Sequence, residues 1–279
     1  MRTLTFTTLY PNSQQPHHGI FVEQRLRHLV ASGEVETEVI APVPWFPFRN
    51  GSFGIYGRYA SVPAEERRHD IRITHPRFPV IPKLGMSLAP LLLVKGVNTH
   101  VRDKMREGFD LIDAHYFYPD GVAAAWFGRK LGMPVVITAR GTDVNLIPRY
   151  TWPRRMVLWA AKYCSRVITV SEALRSRLIE LGVPEHRVIT LRNGVDLAFF
   201  RPSVDREALR RELGMCRPIL LSVGHLIERK GHHIAIRAMT ELKDYDLIIA
   251  GDGEMEADLR RLAQTLEVDD RVRFAGALT

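Results

Sequence analysis

The strongest constraint on the fold is a rhythm: short continuous apolar runs alternate with longer segments whose apolar residues recur at helical spacing. The runs are Thr3–Leu9, Thr37–Ala41, Ile71–His75, Leu111–Ala114, Val135–Thr138, Val167–Val170 and Val188–Leu191. Helical periodicity fills Gly19–Ala31, Leu88–Glu107, Gly121–Leu131, Pro153–Tyr163 and Ser171–Leu181. Strands without polar alternation are covered on both faces, and alternation with helices predicts an α/β fold built on a parallel sheet. Ligands of such folds bind beyond the carboxyl ends of the strands, so the residues that follow each run are where chemistry is expected.

The rhythm restarts after Phe200-Arg-Pro202, with a helix over Arg206–Leu213 and strands at Ile219–Val223, Tyr245–Ala250 and Val272–Phe274. Helices are expected between them at Gly231–Leu242 and Glu254–Leu266. The turn formers Asn193-Gly194 and Pro202 mark a division into domains 1–200 and 201–279, which the length of 279 residues accommodates. Trp45–Tyr59, aromatic, Gly-rich and Pro-flanked, reads as a long surface loop, either packed on its own aromatics or contacting acceptor or membrane.

Charge narrows the partners. A net charge of +8 favours anionic ones such as phosphorylated substrates or lipid head groups. Nucleic acid is not expected, because no RNP-type strand, zinc finger or dense basic helix occurs. No apolar run reaches membrane-spanning length, the N-terminus opens as a strand rather than a signal peptide, and the cysteines Cys164 and Cys216 fit no metal or disulfide spacing. A cytoplasmic protein is expected. Pro148–Tyr163 mixes Arg with Trp152 and Trp159, as interfacial helices do, and equally as a core-packed helix with basic exposed positions does.

Each strand end carries candidates. Gly19 stands at the start of the first helix, where a missing side chain permits a tight turn or the approach of a ligand to backbone N–H groups. The histidine of Asp113-Ala-His115 follows a strand and is expected to face the ligand crevice, while Asp120 is expected to cap the next helix. In Thr138-Ala-Arg-Gly-Thr-Asp143, Arg140 suits a phosphate or Asp143. Ser171-Glu172 reads as a helix cap, and Asn193-Gly-Val-Asp196 as a turn. In Ser222-Val-Gly-His-Leu-Ile-Glu-Arg-Lys-Gly231, a strand, a glycine turn, two cations and a helix start make a phosphate-binding arrangement. Gly251-Asp-Gly253 follows the next strand, as a close-approach turn or an ordinary connection.

In this order the motifs resemble the retaining family 4 glycosyltransferases of bacterial exopolysaccharide and capsule synthesis, whose GT-B architecture sets two Rossmann-like domains across a cleft. The resemblance implies transfer of a hexose from a nucleotide diphosphate sugar to a saccharide or lipid-linked acceptor, with peripheral contact at the inner membrane face and neither cofactor nor metal. It implies His115 and Asp143 as the catalytic pair, near the donor sugar and on the acceptor side, with Arg140 and Asn193 also on that side. Gly19, Gly224, His225, Arg229, Lys230, Gly251 and Gly253 would hold the diphosphate and nucleotide. His225 departs from the family, which usually has Arg after that glycine. The Glu-x7-Glu pair that holds the donor sugar is expected after Phe274 and is not found, so a truncated chain is expected, the alternative being a non-catalytic nucleotide-binding remnant.

Overall fold

The computed structural model describes residues 1–81 and 85–278; Thr279, where the truncation was expected, lies outside the described residues. Backbone contacts group the chain into two units, Met1–Val195 and Asp196–Thr279.

The first unit contains strands β1 (Arg2–Phe6), β2 (Glu36–Ile40), β3 (Val43–Pro44), β4 (Glu65–Arg68), β5 (Ile71–Thr74), β6 (Arg77–Phe78), β7 (Leu111–His115), β8 (Val135–Ala139), β9 (Arg166–Thr169) and β10 (Val188–Thr190). Its helices are α1 (Ile20–Ala31), α2 (Ile55–Ser61), α3 (Gly85–Met105), α4 (Val122–Leu131), α5 (Thr142–Asn145), α6 (Thr151–Tyr163) and α7 (Glu172–Leu181). One sheet runs β10-β9-β8-β7-β1-β2-β5-β4, parallel throughout except for the antiparallel β4–β5 hairpin, and β3 and β6 form a separate ribbon.

Side-chain alternation sends neighbouring strand residues to opposite faces. Ile40 joins Leu4, Phe6, Ile112, Ala114 and Ile137 in a core shared with α3, α4 and α6, whereas its neighbour Val39 joins Ile71, Ile73 and the α1 residues Val22 and Leu26. Both faces are therefore covered, as the apolar runs require. Ser171 caps α7 by accepting from the Leu174 N–H at 3.3 Å.

Trp45–Tyr59 is not a plain loop: a 3-10 turn and the start of α2 lie within it, and Phe46, Phe48, Phe53 and Tyr56 pack on one another at centroid spacings of 5.3–6.0 Å. Helix α6 buries Pro153, Val157, Ala160 and Ala161 and leaves Trp152 exposed under Arg155. No helix among the described residues is long and apolar enough to cross a membrane.

The second unit contains α8 (Arg206–Glu212), α9 (His232–Ala238) and α10 (Glu256–Thr265) with the parallel sheet β11 (Ile219–Val223), β12 (Asp246–Ala250) and β13 (Val272–Gly276), in the order β11-β12-β13. Its core joins Leu247 and Ile249 of the central strand to Ile236 of α9 and Leu259 of α10. Leu221 and Val223 of β11 are 65% and 68% exposed.

Candidate functional site

In the first unit the ends of β1, β7 and β8 converge on His115 and Arg140. Strand alternation places Ile112 and Ala114 in the core and turns Asp113 and His115 to the other face. An Arg140 Nη2 donates to His115 Nδ1 at 2.7 Å, and because a guanidinium can only donate, the imidazole proton resides on Nε2. Nε2 lies 3.2 Å from Asp113 Oδ2 but out of line, so it and Asp113 Oδ1 have no hydrogen-bond partner among the described residues. Burial holds the His115 pKa below its ordinary value, against the pull of Asp113. Burial pushes Asp113 upward, but His115, Arg25 and Arg140 outweigh it and its carboxyl stays below the usual range.

Arg140 also donates through Nη1 to Asn193 Oδ1 at 3.1 Å and stacks 4.7 Å from the Phe21 ring. Burial and the neighbouring Arg25 lower its pKa to about 10. Arg25 itself donates to Thr138 Oγ1 at 3.2 Å. The sequence reading missed Arg25; its only signal is that Phe21 and Arg25, one turn apart, share a helix face.

Three expectations for this unit need correction. His115 does not face a crevice: it is fully buried beneath Arg140. Asp143 lines no surface of the unit. It is fully buried, with Oδ2 accepting from the N–H of Phe117 at 2.7 Å and Oδ1 accepting from those of Arg140 and Gly141 at 3.0 and 2.7 Å. Burial raises its pKa while these amides oppose the rise. It ties the two strand-end loops together, and it engages the Arg140 backbone rather than the guanidinium.

Asp120 caps no helix. Its carboxyl, fully buried, accepts from the Thr8 N–H at 2.7 Å and meets the Thr8 hydroxyl at 3.0 Å, and burial lifts its pKa to about 7. Gly19 has φ +70°, and a Cβ there would stand 2.3 Å from the Leu9 carbonyl oxygen, so the tight-turn reason for glycine holds.

In the second unit the glycines do the same work between two turns. Gly224 N–H bonds the Ala250 carbonyl at 2.9 Å, and Leu226 N–H bonds that of Asp252 at 2.8 Å. A Cβ on Gly251 would meet the Gly224 oxygen at 2.0 Å, and one on Gly253 would meet the Leu226 backbone at 2.7 Å. Above this seam His225 is exposed, with Nδ1 3.4 Å from Asp252 Oδ1. Arg229 and Lys230 are exposed in the turn before α9 and make no ion pair among the described residues, and the Lys230 side chain lies 3.5 Å from where a Gly224 Cβ would be.

His232, absent from the sequence reading, is buried at the start of α9. It donates from Nε2 to the His225 carbonyl at 3.2 Å and accepts at Nδ1 from the Ser222 hydroxyl at 2.8 Å, fixing the turn from beneath. Asp244-Tyr-Asp246, which has the Asp-x-Asp spacing of some metal sites, stands at the opposite, amino end of β12, where Asp246 approaches Arg217 at 3.7 Å.

The profile of Glycosyltransferase Family 4 matches residues 20–199, more than half of the chain, and that of Glycosyl transferases group 1 matches residues 205–279. A Bacillus subtilis protein named for teichuronic acid biosynthesis, the glycosyltransferase TuaC, is 28% identical over 267 residues, 93% of this chain and 67% of its own length. An Escherichia coli protein named for colanic acid biosynthesis, WcaL, is 30% identical over 60% of this chain and 41% of its own. The chain thus spans two thirds or less of the length of these curated relatives. Among solved structures, Anabaena HepE in complex with UDP has a TM-score of 0.70 at 20% identity, covering 100% of this chain and 70% of its own. WaaG, a glycosyltransferase involved in lipopolysaccharide biosynthesis, has a TM-score of 0.60 at 14% identity, over 100% of this chain and 70% of its own. At these identities the likeness is one of fold.

Proposed function

The chain belongs to glycosyltransferase family 4, and from that premise we propose that it serves retaining transfer of a hexose from a nucleotide diphosphate sugar to a saccharide or lipid-linked acceptor in cell-surface polysaccharide synthesis. The observation that carries the reading is the Lys230 side chain lying over the Gly224 turn, with Arg229 and His225 exposed beside it. HepE, a likeness in fold, is described in complex with UDP and with UDP-glucose, which supports a nucleotide sugar as donor.

In the proposed step the acceptor hydroxyl oxygen bonds to the anomeric carbon on the face the diphosphate leaves. The carbon–oxygen bond to phosphate breaks, its electrons pass to the diphosphate, and the hydroxyl proton goes to a departing phosphate oxygen. The growing charge on that oxygen falls where Lys230 and Arg229 stand, and preorganised cations stabilise it without a metal. In the first unit, half-buried Arg140 is the cation of the His115 cluster and takes the acceptor side with exposed Asn193.

The test is release of nucleoside diphosphate from a panel of UDP-, GDP- and ADP-hexoses, with EDTA present and an acceptor extract supplied. Turnover that survives EDTA, and a tenfold or greater loss of donor affinity in Lys230→Ala, is the expected result. Failure of every donor to bind overturns the reading, and donor conversion without acceptor points to an epimerase instead.

A further inference from the structure

The face of the first sheet that lies under α1 is polar where β1, β7 and β8 meet. Thr5 stands in register with Asp113, and Thr138 with His115, and all four are buried. Helix α1 closes this face with Phe21 and Arg25, while its Val22 and Leu26 pack with the apolar residues Val39, Ile71 and Ile73. The polar patch does not serve stability. Asp113 Oδ1, His115 Nε2 and Arg140 Nε are three of the seven buried side-chain atoms without a hydrogen-bond partner among the described residues. An unsatisfied buried polar atom is destabilising, so the arrangement calls for another reason.

That reason lies in how Arg140 is held. Its guanidinium makes no ion pair among the described residues and rests on His115 Nδ1 at 2.7 Å, Asn193 Oδ1 at 3.1 Å and the Phe21 ring. Asn193 is exposed, so His115 is the buried anchor. The anchor exists in one tautomer only: Nδ1 can accept from Arg140 while the ring proton is on Nε2. Nε2 stands 3.2 Å from the Asp113 carboxylate. Moving the proton to Nδ1 would set a lone pair against that carboxylate and an N–H against the guanidinium. Asp113 stays ionised because His115, Arg25 and Arg140 outweigh its burial. In so dry a place the polar groups also polarise one another, which strengthens Nδ1 as an acceptor.

We propose that Asp113 is a positioning residue for Arg140: acting through His115, its carboxylate keeps Nδ1 free to hold the guanidinium at the strand ends. Asp113 and His115 then touch no substrate, and Arg140 is the group that meets it. The inference rests on the transferase reading only for the identity of that substrate, the acceptor; the tautomer and the hold on Arg140 are independent of it. The first test reads the tautomer from long-range proton–nitrogen correlation spectra of the histidines at neutral pH, with His115 assigned by the signal missing from His115→Phe. The proton should sit on Nε2 in the wild type and stay there in Arg140→Ala, because Asp113 rather than the guanidinium fixes it. A proton on Nδ1 in either protein, or a mixture of tautomers in Arg140→Ala, overturns the proposal, and both proteins keep the buried pair intact.

The second test is phenylglyoxal modification of Arg140, followed by mass spectrometry of the peptide that carries it. Asp113→Asn should speed the modification about fivefold, the factor one hydrogen bond contributes, at unchanged tryptophan fluorescence. His115→Phe should do the same, and the double variant Asp113→Asn/His115→Phe should react no faster than either alone. Unchanged modification in Asp113→Asn overturns the proposal. So do increases that multiply in the double variant, since the carboxylate would then act on Arg140 directly rather than through the ring. Where transfer is measured, Asp113→Asn should raise the acceptor KM about fivefold and leave the donor KM unchanged. Faster modification with the acceptor KM unaltered supports the hold on Arg140 and counts against its placement on the acceptor side.

Discussion

The buried carboxyl of Asp120 should make the first unit lose stability as pH rises toward neutrality. Burial moves its pKa from the ordinary 3.8 to about 7 in the folded chain. Over that interval the native state keeps a proton that the unfolded chain has released, so stability is greatest below the lower value and falls as pH climbs through the upper one. At ~1.4 kcal/mol for each tenfold change in proton activity, the whole interval is about 4 kcal/mol, of which more than half falls between pH 5 and pH 8. The geometry accommodates the neutral form. One oxygen accepts from the Thr8 N–H at 2.7 Å while the other, protonated, can donate to the Thr8 hydroxyl at 3.0 Å. Asparagine reproduces both contacts and cannot ionise. All four tryptophans precede residue 196, so their fluorescence follows the first unit alone. Urea unfolding read this way at pH 5 and pH 8 should show the wild type losing about 2 to 3 kcal/mol more than Asp120→Asn. Asp143 is raised by the same burial, and its charge is one of the causes that lift Asp120, so the difference between the two proteins reports on Asp120 together with its coupling to Asp143. Equal losses in the two proteins would refute the reasoning.

Three further outcomes follow from single contacts. Asp143→Ala removes the acceptor of three backbone N–H groups and should lower first-unit stability by ~3 kcal/mol or more, read as a shifted fluorescence midpoint. Gly251→Ala sets a Cβ 2.0 Å from the Gly224 oxygen at φ +142°, so protease cutting should concentrate after residue 196 while tryptophan fluorescence is unchanged. His225→Arg adds a permanent charge beside Lys230 and should tighten UDP several-fold in calorimetry; unchanged or weaker affinity would count against a diphosphate at that turn.

What the sequence made legible was whatever local pattern decides. The buried strands and the Ser171 cap are of this kind, because apolar runs and a hydroxyl before a helix carry their own cause. Strand β4, Glu-Glu-Arg-Arg, was not legible: it has no apolar pattern and exists by pairing across a hairpin with β5, where Arg72 meets Glu65 at 3.1 Å. Most strand ends fall within a residue of the sequence reading, though β1 ends at Phe6 rather than Leu9 and β13 at Gly276 rather than Phe274, but what their side chains touch was not legible. Counting back from the core residues Ala114 and Ile112 puts His115 and Asp113 on the opposite face, yet only the packing of α1 decides that Phe21 and Arg25 close over that face.

Gly251 and Gly253 pose a deeper ambiguity. A glycine that admits a phosphate and a glycine that admits another backbone look identical in sequence, and here the close approach is to the Gly224–Leu226 turn. Substituting either glycine therefore perturbs folding before it can report on a ligand. Lys230 and His225 lie against that seam as exposed side chains and take no part in its backbone contacts, so their variants separate ligand binding from folding, and the donor reading should be judged on them.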